Sequence, residues 1–160
     1  MKTIILFPGL AADETIFSGL HLTGYSIHVA NFLEPVDHET LPSYAKRMSQ
    51  TLPPAGDFIF IGVSFGGILA QEVARFMIPE KIILISSISS CKQKPFYFLA
   101  AKIFPVYRLL TDALLRRTIL NIARMWTKKN EEERILFERM VKAASLNLIR
   151  WGIHQTLFWK

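Results

Sequence analysis

The sequence predicts an α/β fold with a mainly parallel sheet flanked by helices. Three observations predict it. Short Ile-, Leu- and Phe-rich runs of strand type alternate with helical periodicities through residues 1–90. One of these runs, Phe58-Ile-Phe-Ile, leads into a tight turn, Gly62-Val63-Ser64-Phe65-Gly66-Gly67, that opens a helix. Beyond Ser90 the β-rich runs cease and the pattern is helical to Lys160. Strands that alternate with helices are joined by right-handed crossovers and so lie parallel.

Taken in order, Lys2 to Phe7 is a buried strand ended by Pro8-Gly9. Asp13 or Thr15 is placed to cap a short helix around Ile16 to Leu20. Tyr25 to Phe32 alternates as a second strand. Pro42 to Leu52 carries Tyr44, Ala45, Met48 and Leu52 at helical spacing, with proline in its first turn. Pro53-Pro54-Ala55-Gly56 breaks that helix, and Phe58 to Val63 is the third strand. Ile68 to Met77 is a helix stopped before Pro79. Lys81 to Ile88 is a fourth strand, an apolar run of the kind buried on both faces. Three helices follow, over residues 95–103, 106–125 and 131–154, with residues 127–130 separating the last two and Asn130 as a candidate cap.

Composition narrows the class. The chain has 160 residues, 51% hydrophobic and 20% charged, which suits one globular unit. The apolar run near the N-terminus, Ile4 to Phe7, is too short for a signal segment or a membrane span. The single cysteine, Cys91, allows no internal disulfide, so a reducing cytoplasm is the expected compartment and an inert thiol the expected role. Net charge is +6, with five Lys/Arg against eight Asp/Glu over residues 1–90 and fourteen against five over residues 91–160. The basic residues are interspersed with apolar ones, so solvated helix faces are preferred to a nucleic-acid site. A membrane-surface role for the basic, aromatic second half is the minor reading. No metal-ligand spacing, phosphate loop or dinucleotide fingerprint is present, so no cofactor and no metal are expected.

The turn carries the chemistry. Gly62-Val63-Ser64-Phe65-Gly66 matches G-x-S-x-G, which suits a serine held on a strained strand-to-helix turn with its hydroxyl exposed. Glycine tolerates the unusual backbone angles and leaves room where strand and helix nearly touch. The turn also lies at the carboxyl end of its strand, where ligands bind in open α/β sheets.

With the upstream strand ending Phe7-Pro8-Gly9-Leu10, the βα alternation and the helical stretch after the fourth strand, the chain resembles the α/β-hydrolase family. The resemblance covers residues 1–90 as the N-terminal part of the core and residues 91–160 as a helical cap or lid. It implies Ser64 as nucleophile and the N–H groups of Phe65 and Leu10 as the oxyanion hole. It also implies an esterase-like hydrolase acting on a small carboxylic ester or related acyl substrate. The alternative is a non-catalytic, degenerate or shortened relative that binds a hydrophobic ligand or partner. The aromatic content of the second half (Phe96, Tyr97, Phe98, Phe104, Trp126, Trp151, Phe158 and Trp159) suits a lid over an apolar group, or simple packing of that layer. Oligomeric state is not legible.

The family's order is Ser, then an acid, then His. Downstream of Ser64 the only Asp is Asp112 and the only His is His154, both in helical patterns. His154 reads as a packed or surface histidine, Asp112 as a cap or an exposed polar residue. His21, His28 and His38 precede Ser64, the wrong order. Asp13 reads as a loop carboxylate accepting backbone N–H groups; Ser86, Ser87, Ser89 and Ser90 follow a strand near the site and read as groups that satisfy loop backbone, with contact to substrate the minor reading. In the family's strand order the fourth strand would be an edge despite its central-strand composition. The resemblance therefore implies that the C-terminal strands carrying the acid and the His lie beyond Lys160.

Overall fold

The computed structural model describes residues 1–54, 56–126 and 131–160. Strands β1 (Thr3–Phe7), β2 (Ser26–Val29), β3 (Phe58–Val63) and β4 (Lys81–Ile85) form one sheet in the order β2-β1-β3-β4, with every pairing parallel. The described helices are α1 (Leu41–Ser49), α2 (Phe65–Val73), α3 (Phe96–Ile103), α4 (Asp112–Trp126), α5 (Glu131–Ala143) and α6 (Leu146–Phe158). The α/β class with a parallel sheet flanked by helices is the one expected from the sequence, and β4 is an edge strand.

Several boundaries differ from the sequence expectation, each for a local reason. The helix expected near Ile16 is a single 3-10 turn, Glu14–Phe17, capped by Asp13, whose carboxylate accepts from the Thr15 N–H. Helix α1 starts one residue early because Thr40 and Ser43 form a reciprocal capping box. Helix α2 begins at Phe65, directly after Ser64, and ends at Val73. Strand β4 stops at Ile85 because Ser86 has φ 48°, outside the extended region.

The helix expected over 106–125 is divided. Val106–Arg108 is a 3-10 turn, and α4 starts at Asp112, where the Thr111 hydroxyl accepts from the Leu114 N–H. The helix expected over 131–154 is two helices. Ser145 caps α6 by accepting from the Leu148 N–H, while the Arg116 guanidinium donates to the last carbonyls of α5, Val141 and Lys142. The expected Asn130 cap and the side chains of Tyr97 and Trp126 lie outside the described residues.

The register assigns two sheet faces. Ile5, Phe7, Phe60 and Ile82 share the face covered by α1 and α2, where Tyr44, Met48, Leu69 and Val73 are fully buried. Phe7 and Phe60 meet ring to ring at 5.1 Å. Ile4, Leu6, Ile61 and Phe17 form a smaller core on the other face. That face continues through Ile27, Ile83 and Ile85, which are 49%, 41% and 38% exposed.

Helix α6 ties the later helices to the sheet layer. The Trp151 indole stacks on Tyr44 at 4.4 Å, and its Nε1–H donates to the Glu39 carbonyl at 2.7 Å. Gln155 donates to the same carbonyl and accepts from the Leu41 N–H. Trp159 Nε1–H donates to the buried Glu72 carboxylate at 2.8 Å. The Lys94 ammonium closes the end of α6 by donating to the carbonyls of Leu157 and Trp159. Burial disfavours its charged form and holds its pKa below the ordinary value.

Trp151→Ala removes an aromatic contact and the bond to the Glu39 carbonyl, so it should lower stability by about 2–4 kcal/mol. Trp151→Phe, which retains a ring, should cost less. Urea unfolding followed by far-UV circular dichroism measures both; equal, negligible shifts would remove α6 docking from the account.

Candidate active site

The site begins with backbone constraint. Ser64 has φ 52° and ψ −121°, a conformation that L-residues occupy only under constraint from their surroundings. Its N–H donates to the Ile85 carbonyl at 2.9 Å, and its carbonyl accepts from the Gly67 N–H at 3.0 Å and the Ser87 hydroxyl at 2.7 Å. The strained residue is thus held by the end of β4 on one side and the start of α2 on the other. The Ser64 side chain makes no capping hydrogen bond to α2, and the residue is exposed.

The glycines of the turn are dictated by proximity. A Cβ on Gly66 would lie 2.2 Å from the carbonyl oxygens of Phe7 and Pro8. One on Gly62 would lie 2.5 Å from Gly67 Cα, and one on Gly67 would lie 2.4 Å from the Ser87 hydroxyl oxygen. The start of α2 therefore runs directly against the end of β1 and the Pro8-Gly9-Leu10 loop. That close crossing brings Leu10, Ser64 and Phe65 to one place.

Among the described residues neither the Leu10 N–H nor the Phe65 N–H has a hydrogen-bond acceptor. The Phe65 N–H is one of the unpaired donors that every helix carries in its first turn. Its ring is buried between Phe32, at 6.1 Å, and Trp151, at 6.0 Å, which fixes the backbone at that position. The loop after Leu10 is fixed by Ala11, at φ 64°, and by the Ala12 N–H bonded to the Gly9 carbonyl at 3.0 Å.

Leu10, Ser64 and Phe65 all line a cavity of about 810 Å3. Ser86, Ser87 and Ile88 line it from the end of β4, and Phe98 and Ala101 from α3. Tyr107, Ile122, Ile153 and Leu157 close the side made by the later helices. The wall is dominated by aliphatic and aromatic side chains, with serine hydroxyls gathered at one end. Among the described lining residues there is no Asp, Glu or His. The described residues contain no group of three or more His, Cys, Asp or Glu placed to hold a metal ion.

The remaining sequence candidates sit elsewhere. Asp13 caps its 3-10 turn. Asp112 is largely exposed and pairs with Arg150 at 2.9 Å. Cys91 is exposed and unbonded. Ser90 caps the turn Cys91–Gln93, and Ser89 bonds Gln93, so these serines satisfy local groups. His154 faces Tyr107 and Arg108, whose side chains meet its Nδ1 at 3.0 and 3.1 Å. Because a guanidinium only donates, Nδ1 is an acceptor and the neutral ring carries its proton on Nε2. Burial, with Arg108 adding repulsion, holds the His154 pKa below its ordinary value.

Ser87, read with Ser86, Ser89 and Ser90 as satisfying loop backbone, is hydrogen-bonded to the turn itself; nothing in the run Ser86-Ser87-Ile88-Ser89-Ser90 sets it apart from its neighbours. Gly152 was not singled out from the sequence. It lets α6 approach the Leu10 loop, since a Cβ there would lie 2.5 Å from Leu10 Cδ1. A lone glycine inside a helical pattern was the available signal.

Two predictions follow the geometry. Gly66→Ala should destabilise the protein by more than about 3 kcal/mol because backbone atoms must move. Gly19→Ala, with nothing within 4 Å of the new Cβ, should be nearly neutral; thermal unfolding separates the two. For His154, whose folded pKa is lowered, the unfolded chain binds the proton first as pH falls below about 6.5. Its contribution to stability is complete above that pH and is lost on descending through the folded value. His154→Gln should flatten this part of a stability-versus-pH curve.

No protein-family model and no curated protein sequence matches the chain. Solved structures do. The RedJ thioesterase from the prodiginine biosynthetic pathway of Streptomyces coelicolor superposes with a TM-score of 0.63 at 16% identity, over 99% of this chain and 63% of that one. ClbQ from the colibactin NRPS/PKS pathway superposes with a TM-score of 0.57 at 13% identity, over 94% of this chain and 66% of that one. The chain thus spans just under two thirds of the length of each. At such identities the likeness speaks for the fold alone, an α/β-hydrolase-like parallel sheet flanked by helices.

Proposed function

We propose that the protein is a serine-nucleophile hydrolase acting on a small acyl ester or thioester with an apolar acyl group. The observation that carries the reading is Ser64: exposed, held at positive φ, and opening onto an apolar cavity beside two unpaired backbone donors. In this reading Ser64 Oγ attacks the acyl carbon, its hydroxyl proton passes to the His that the resemblance implies beyond Lys160, and the carbonyl oxygen takes up negative charge facing the N–H groups of Leu10 and Phe65. Each such donor is worth roughly 3 kcal/mol of barrier. Collapse breaks the bond to the leaving group, and water then cleaves the acyl-enzyme, releasing a carboxylic acid and free Ser64. The acyl chain lies against Phe98, Ile122, Ile153 and Leu157.

A thioester fits better than an oxygen ester. A thiol has a pKa of about 8.5, so it leaves as thiolate with little help from an acid. The RedJ structure, described as a thioesterase, supports the same preference by analogy of fold.

A second reading, favoured by the predominantly aliphatic and aromatic wall of the cavity, is a non-catalytic protein that holds a hydrophobic ligand there. An alkyl fluorophosphonate separates the two. The hydrolase reading expects a covalent adduct on the Ser64 peptide, absent in Ser64→Ala. A folded protein that binds the alkyl probe reversibly but forms no adduct supports the ligand-binding reading instead.

A further inference from the structure

The later helices carry a surface that the proposed chemistry does not use. Helix α3 presents Phe96, Leu99 and Ile103, at i, i+3 and i+7, outward with 87%, 62% and 60% exposure. Directly after it, Phe104, Val106 and Leu109 are 71%, 58% and 85% exposed. Six large apolar side chains within fourteen residues are thus more than half exposed, a density well beyond the scattered apolar groups of an ordinary surface.

The charge around them has one sign. From Cys91 to Thr111 there is no acidic residue, while Lys92, Lys94, Lys102 and Arg108 are cationic. Lys94 is engaged at the end of α6, but Lys92, Lys102 and Arg108 are exposed. Lys102 stands 4.8 Å over the half-exposed Phe158 ring, at the border of the apolar patch. Phe104 and Val106 also line the cavity, so its mouth opens within this surface.

We propose that this apolar, cation-rimmed surface of α3 and the turn after it docks on an anionic lipid bilayer, with the cavity mouth facing the lipid. Apolar side chains would enter the boundary between headgroups and acyl chains, and the cations would pair with the headgroups. The attachment is peripheral: no described helix is long and apolar enough to cross a membrane. An acidic protein would satisfy the cations equally, but the extent of exposed apolar surface at the cavity mouth favours lipid. The inference does not depend on Ser64 being reactive.

The test is sedimentation of the whole chain with phosphatidylserine/phosphatidylcholine vesicles, alongside pure phosphatidylcholine vesicles. Binding to the anionic vesicles is expected, weakened tenfold or more by high salt and by omission of phosphatidylserine. Leu99→Glu with Ile103→Glu should reduce it at least tenfold, and Lys92→Gln with Lys102→Gln by roughly tenfold to a hundredfold. Ile135→Glu, which alters an exposed isoleucine on the acid-rich α5, should bind as wild type does. Far-UV circular dichroism confirms that each variant is folded. Failure of the folded wild type to sediment, including the case in which the patch retains an acidic protein instead, overturns the proposal. So does an equal loss in Ile135→Glu and the Leu99/Ile103 variant.

Discussion

The structure depends on one close crossing, where the start of α2 passes over the end of β1. Gly66 lies so near the Phe7 and Pro8 carbonyls that no side chain fits between them. Gly62 and Gly67 meet almost as closely within the turn. The approach shortens the path from β3 into α2 until a single residue must make the turn, and that residue is Ser64, with φ 52°. Such a backbone persists only when its surroundings over-determine it. Bonds from Ser64 N–H to Ile85, and from Gly67 N–H and the Ser87 hydroxyl to the Ser64 carbonyl, supply that determination. The proposed chemistry inherits its geometry from packing.

The second requirement is a roof. Helix α6 reaches the sheet layer through Trp151, Gln155 and Trp159, bonded respectively to Glu39, to Glu39 and Leu41, and to Glu72. Gly152 allows it to settle against Leu10. The buried Glu39 is itself held by a two-pronged bond from Arg47, which keeps its carboxyl below the usual carboxylate range. Without this docking the cavity would lose the wall formed by Ile153, Thr156 and Leu157. The same indole that anchors α6, Trp151, also packs edge-on against Phe65, so the roof and the turn share a side chain.

Much of this was legible in the chain. Strand β3 matched its expected bounds because a continuous apolar run between Asp57 and the Gly-rich turn has one reading. The parallel pairing followed from the βα alternation, and the edge position of β4 from the family's strand order, despite a composition that read as buried on both faces. Helix ends were less legible, since they are set by partners distant in sequence: Arg116 closes α5 from α4, and Ser145 starts α6 where periodicity alone runs through. The resemblance singled out Leu10, Ser64 and Phe65, and all three line one cavity. Ser87 was read only as one of four loop serines, and Gly152 not at all, because a hydroxyl bound to a backbone carbonyl and a missing Cβ leave no pattern of their own. Exposure, too, is a property of the fold: the sequence shows that α3 is apolar and basic, but only packing shows which side is left in solvent.

In the proposed function, strain and packing direct Ser64 and the two backbone donors of Leu10 and Phe65 toward one point in an apolar cavity. The most direct measurement is a crystal structure of the protein carrying an alkylphosphonate on Ser64. The account predicts Ser64 at positive φ, the phosphonyl oxygen about 3 Å from both the Leu10 and Phe65 nitrogens, and the alkyl chain against Phe98 and Leu157. A phosphonyl oxygen turned to solvent, with those two N–H groups bonded elsewhere, would contradict it.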